Sequence, residues 1–161
     1  MHKPRYKSPR YKNLWPILLG VVGLVPFVAA PVLMFFYPAQ KQLWVVAQIN
    51  YAAIILSFLG ATHWVLGLQR GHTPSLLWGI TPSLLGWLMT LTAPYPALYG
   101  LAMCFFLSLV MDMRLVNVGQ LPPWYGTMRV WLSVAVIISL GAAATQLKPN
   151  FHILLRGDLF A

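Results

Sequence analysis

Apolar residues run along this chain in long stretches free of Asp, Glu, Lys and Arg, at 14–37, 43–68, 75–93 and 97–111, with a fifth from about Met128, past Arg129, to Gln146. A helix needs about 20 mainly apolar residues to cross a bilayer. The pattern therefore predicts an all-α polytopic membrane protein with five transmembrane helices, over about 14–37, 43–68, 75–93, 96–117 and 128–146. The fourth is extended through Asp112 and Arg114 because long charged side chains can snorkel to the interface. A basic tail, 1–13, precedes the helices and a short tail, 147–161, follows them.

Prolines qualify two of these helices. Pro26 and Pro31 each lack an amide donor and crowd the preceding turn, so the first helix is expected to bend near them. That helix has a basic segment before it and a small-residue stretch, Val28-Ala29-Ala30, as a secretory signal would. Its length exceeds the roughly 7–15 apolar residues of such a signal, and Pro31 would follow the cleavage point, so a retained helix is expected. In the third helix, Thr73-Pro74-Ser75-Leu76-Leu77 recurs as Thr81-Pro82-Ser83-Leu84-Leu85. Thr73 can cap the helix with Pro74 in its first turn. Pro82 must then lie inside, freeing the carbonyl of Trp78, for which the Thr81 hydroxyl is a candidate partner.

Composition agrees with the membrane reading: 59% of residues are hydrophobic and 8% charged, against about 45–50% and about 25% in soluble domains. A water-exposed surface could not be covered by so few charges, and the abundance of aliphatic and aromatic residues excludes disorder. The lone Cys104 excludes an intrachain disulfide and a Cys-based metal cluster.

Charge sets the expected orientation. Five spans with the N-terminus inside assign Lys3, Arg5, Lys7, Arg10, Lys12, Arg70, Arg114 and Arg129 to the inner side, and only Lys41, Lys148 and Arg156 to the outer side. Basic residues favour the cytoplasmic side, so N-terminus in and C-terminus out is expected. The repeated Pro-Arg-Tyr-Lys tail, with Lys3, Arg5, Lys7, Arg10 and Lys12, is also expected to contact anionic lipid headgroups; nucleic acid is not an expected partner.

Candidate chemistry is sparse. On the second helix Ala53, Ser57 and Ala61 recur every four residues, with Gly60 and Gly67 beside them, a small-residue face suited to close helix packing. His63 lies some 20 residues into that helix, about 30 Å along it, and so reaches the inner leaflet. Asp112 and Arg114, Trp124 and Tyr125, and Arg129 are assigned to the same leaflet. Three readings stand. One is an ion pair of Asp112 with Arg129 or Arg114 that fixes the hairpin between the last two helices, with His63 bonded to a backbone or hydroxyl group. The second is a polar pocket for a headgroup, a quinone carbonyl or a partner subunit, and the third is proton exchange through His63. Bis-histidine haem is excluded because His2, His72 and His152 fall in tails or loops. Zinc ligand sets and phosphate-cradling glycine motifs are missing, and the helices lack the central carboxylate common in ion pumps. No catalytic residue, metal or cofactor is expected.

Two stretches carry a resemblance: 51–64, YAAIILSFLGATHW, and 121–129, LPPWYGTMR. They resemble the signature segments of the transmembrane-protein-69-like family, a domain of unknown function, over about 15–140. The resemblance implies a five-helix protein of the bacterial inner membrane, or of mitochondria in animals, and marks Ser57, Gly60, His63, Trp64, Asp112, Trp124, Tyr125 and Arg129 as pattern residues without a role. The expected function is that of a non-enzymatic accessory, assembly or structural component of a larger inner-membrane complex, with a membrane-protein partner or a homo-oligomer. Alternatives are a small oligomeric transporter or channel, with the Pro82-kinked helix and His63 lining its path, and a lipid- or quinone-binding protein. A bacterial inner membrane is the expected location, a mitochondrial one the second choice.

Overall fold

The structure is a computed structural model that describes residues 14–147. The basic tail with Lys3, Arg5, Lys7, Arg10 and Lys12 and the segment from 148 onward lie outside the described residues. Among the described residues five helices form: α1 Leu14–Phe36, α2 Lys41–Arg70, α3 Thr73–Thr90, α4 Pro94–Asn117 and α5 Pro123–Gln146, with a 3₁₀ turn Pro38–Gln40 leading into α2. Four, α1, α2, α4 and α5, are long and apolar enough to cross a membrane. The protein is an all-α membrane protein. Helix α3 has only 18 residues, among them two prolines, two glycines and five Thr or Ser.

Helix ends depart from the hydropathy pattern for local reasons. Helix α2 takes in both Lys41 and Arg70, because 30 residues extend about 45 Å and outrun the roughly 30 Å hydrocarbon layer. Gly71, at φ 61°, then stops it in the left-handed conformation, with its N–H donating to Gly67 O. Helix α5 starts at Pro123 rather than near 128, since a first-turn proline forgoes no helical bond; Trp124 and Tyr125, expected in a loop, are thereby helical. Thr73 is the first residue of α3 rather than its cap, a position that falls to His72, whose Nδ1 lies 2.8 Å from Ser75 Oγ.

The outer face is apolar, unlike that of a water-soluble bundle, and several polar side chains lie inside with the apolar core. Phe58, Trp131 and Phe35 are each more than 70% exposed, while Gln48, His63, Ser108, Asp112, Arg129, Ser133 and Ser139 are buried. Lipid is as apolar as leucine, so large side chains can face it, and polar groups gain by turning to one another inside. A compact apolar cluster centred on Phe27, Met34, Leu56, Leu101, Phe105 and Leu140 joins α1, α2, α4 and α5.

Two devices fasten the helices. Pro31 has no N–H for the carbonyl of Phe27 four residues earlier. That carbonyl instead accepts from Ser139 Oγ of α5 and from Gln48 Nε2 of α2 at 3.3 Å, so the proline defect in α1 ties three helices together. The second device is the antiparallel contact of α2 with α3. A Cβ on Gly79 would lie 2.8 Å from Trp64 N, and one on Gly60 would overlap Gly79 O. Ala53 packs on Gly86 and Gly67 on Leu76. The contact stripe on α2 is therefore Ala53, Gly60 and Gly67. Ser57 and Ala61 are exposed, because steps of four residues drift about 40° each around a helix whereas steps of seven drift about 20°.

Pro82 is buried against this seam near Gly60. The Thr81 hydroxyl donates to Leu77 O at 2.8 Å, one residue before the freed Trp78 carbonyl, since a helical hydroxyl reaches back to the residue four before it. At one end of the bundle Lys41 Nζ donates to Gln146 O and Gln146 Nε2 to Pro31 O. Arg70 and Arg114 both line a cavity at the other end.

Candidate functional site

Three helices each contribute one residue of a polar cluster from the inward stripe. On α2 the buried positions run Leu56, Leu59, Gly60, His63, Gly67; on α4, Leu101, Cys104, Phe105, Ser108, Asp112; on α5, Gly126, Arg129, Ser133, Val136, Leu140. Spacings of three and four keep each set on one face. His63, Asp112 and Arg129 thus point inward by the same periodicity that places the apolar core, and they meet.

Arg129 Nε donates to Asp112 Oδ2 at 2.6 Å, and His63 Nε2 lies 2.9 Å from Asp112 Oδ1. A carboxylate only accepts, so the His63 proton in this contact sits on Nε2. The Tyr125 hydroxyl approaches Oδ2 at 3.5 Å. Asp112 is 1% exposed, His63 4% and Arg129 5%. Taking a lone ion this far from water costs several kcal/mol, which only close pairing and hydrogen bonding can offset. Trp78 flanks His63 edge-on, ring centroids 6.4 Å apart. Arg129 Nη2 and Trp78 Nε1 are buried without a hydrogen-bond partner.

The ion pair therefore forms with Arg129 and not with Arg114, which is exposed and rests one guanidinium nitrogen 3.5 Å from Met111 Sδ. His63 bonds to the same carboxylate rather than to backbone or hydroxyl. Trp124 is half-buried and packs edge-on against Tyr125 at 6.3 Å, so its contact with the cluster runs through that tyrosine.

The cluster borders a partly open cavity of about 330 Å³ at the Arg70 end of the bundle. Its walls bring together His63, Arg70, His72, Ser75, Trp78 and Arg114. Four of these, Arg70, His72, Ser75 and Trp78, had no place among the sequence candidates. The signal for them was present: Arg70 and His72 flank Gly71, and a glycine turn between two helices folds both residues over the same bundle end. With Nε2 engaged by Asp112, Nδ1 is the nitrogen His63 has left for a ligand in this cavity. Among the described residues no three His, Cys or acidic side chains converge as a metal site. A second, shallower groove lies between α2 and α3, bordered by Asn50, Ser57, Ser83 and Thr90 with Trp87.

The model of the family described as a protein of unknown function (DUF3429) matches residues 13–145. The chain belongs to this family. Over 133 residues, 77% of its length, it is 30% identical to Transmembrane protein 69 of Xenopus tropicalis. Of that relative 51% is covered, so the chain spans about half of its length. The matched region of this DUF3429 protein contains every helix that builds the cluster. No solved structure matches it.

Proposed function

We propose that this member of the family is a non-enzymatic accessory or assembly component of a membrane complex, held in the bilayer by five spans with the N-terminus inside, in a bacterial inner membrane. One observation carries the reading. The carboxylate buried among the helices, Asp112, is bonded through both oxygens, to His63 and to Arg129. A group so engaged joins α2, α4 and α5; a proton or ion path needs carboxylates that change partners. The burial of Pro82 against α2 likewise favours helix packing over a channel wall.

The span count is supported by length. Helix α3, at 18 residues, extends about 27 Å, close to the hydrocarbon thickness, and runs antiparallel to α2. Orientation is supported by the cations: Arg70 and Arg114 share one end and Lys41 occupies the other, in keeping with the positive-inside rule.

Extraction in mild detergent, followed by native electrophoresis and mass spectrometry of the excised complex, tests the role. The expected result is a stoichiometric membrane-protein partner lost on harsher solubilisation. A monomer in every mild detergent would overturn the accessory reading.

A further inference from the structure

The cavity beside His63 carries an inference beyond the accessory role and independent of it. Its lining places two guanidinium groups, Arg70 and Arg114, and two imidazoles, His63 and His72, around about 330 Å³. Among the described residues the acid next to it is Asp112, which is buried behind His63 and neutralised by Arg129. The cavity mouth is thus positive, with no carboxylate of its own among the lining residues. Arg70 closes the last turn of α2 and Arg114 that of α4, so both cations stand where the helices leave the apolar layer. Trp78 adds an apolar wall and an indole N–H without a partner, and the Ser75 hydroxyl adds a further polar group.

We propose that this cavity is a binding site for a phosphate-bearing anion, and that Arg70 and Arg114 are its principal ligands. Guanidinium forks match phosphate oxygens in pairs, and the volume suits a phosphate with a small substituent. A phospholipid headgroup and a free phosphate share this chemistry, and the depth at the helix ends suits either source.

Native mass spectrometry of the full chain in a neutral detergent tests the site. One arm titrates phosphatidylglycerol against zwitterionic phosphatidylcholine, and the other measures thermal stability with inorganic phosphate. A lipid site is expected to give at least a tenfold preference for phosphatidylglycerol; a site for free phosphate is expected to give a melting shift of several degrees with phosphate and no lipid preference. In either arm the double variant R70A/R114A is expected to lose the effect, R70K/R114K to keep part of it, and K41A, at the opposite end, to keep all of it. Both arginines are exposed, and an unchanged melting temperature without ligand shows that the variants fold. The proposal is overturned if wild type responds in neither arm, or if R70A/R114A responds as wild type does. Should R70A/R114A fail to fold, R70K/R114K and K41A decide it, and equal losses in those two would reject the site.

Discussion

Asp112 offers two carboxylate oxygens, and Arg129, His63 and Tyr125 all reach them. Removing one member of a buried ion pair strands the other, at a cost of about 3–5 kcal/mol. Arg129→Met alone and Asp112→Asn alone are therefore both expected to destabilise the protein strongly, measured as retention of fold on heating in detergent, whereas the double variant should recover much of the loss. Additive losses would show that the two side chains do not act as a pair. The Phe27 carbonyl supports a second test at the same scale. Ser139→Ala removes one of the two donors that replace the missing Pro31 amide, at about 1 kcal/mol. In a Pro31→Ala background the backbone amide returns, and the same substitution should cost clearly less. Which residues carry these bonds was partly legible beforehand: position along the helices grouped His63, Asp112 and Arg129 with Arg114, Trp124 and Tyr125, while the choice of Arg129 over Arg114 depended on which side chains the packing turns inward.

At the level of elements the α2–α3 seam is held by absent side chains. Gly60 and Gly79 lie so close that a Cβ on either meets the backbone of the other helix, and backbone yields far less readily than a side-chain tip. Gly60→Ala and Gly79→Ala are each expected to lose about 1–3 kcal/mol through overpacking. Gly141 has open space where a Cβ would go, so Gly141→Ala should be neutral or add about 0.5–1 kcal/mol from helix propensity. Thermal unfolding of the three variants side by side checks the order, and a Gly60→Ala protein as stable as Gly141→Ala would refute the close approach. The small-residue periodicity on α2 announced tight packing, but a run of small residues on one helix names no partner. Only the position of Gly79 and Gly86 on the returning helix selects Ala53, Gly60 and Gly67 as the contacting set and leaves Ser57 and Ala61 outside.

For the whole molecule, five crossings with the N-terminus inside predict a definite labelling pattern. With Cys104 replaced by Ser, single cysteines at Gly71 or Gly119 should react with an impermeant maleimide only after the inner face is opened. Cysteines at Ala39 or Thr92 should react in intact cells. If α3 fails to cross, positions 71 and 92 will label from the same side, and that outcome would reject the five-span topology. The apolar outer face, with rings such as Phe58 and Trp131 outward, also predicts aggregation whenever detergent is diluted below its critical concentration, read as loss of a single species in size-exclusion chromatography.

By itself the sequence determined that the chain is a helical membrane protein, where most helix centres lie, and which few ionisable residues lie toward one end of the helices, because hydropathy and rise per residue are local properties readable along one strand of text. The helix start at Pro123 escaped it, since it is decided by first-turn proline geometry that hydropathy does not register. Tertiary structure alone decided that Asp112 bridges His63 and Arg129, that Ser139 and Gln48 satisfy the Phe27 carbonyl that Pro31 leaves without an amide, and that Arg70, His72 and Arg114 converge on one cavity. Each depends on which helix faces which, and in this chain residues 49, 17 and 44 positions apart are brought together by packing that no single helix encodes.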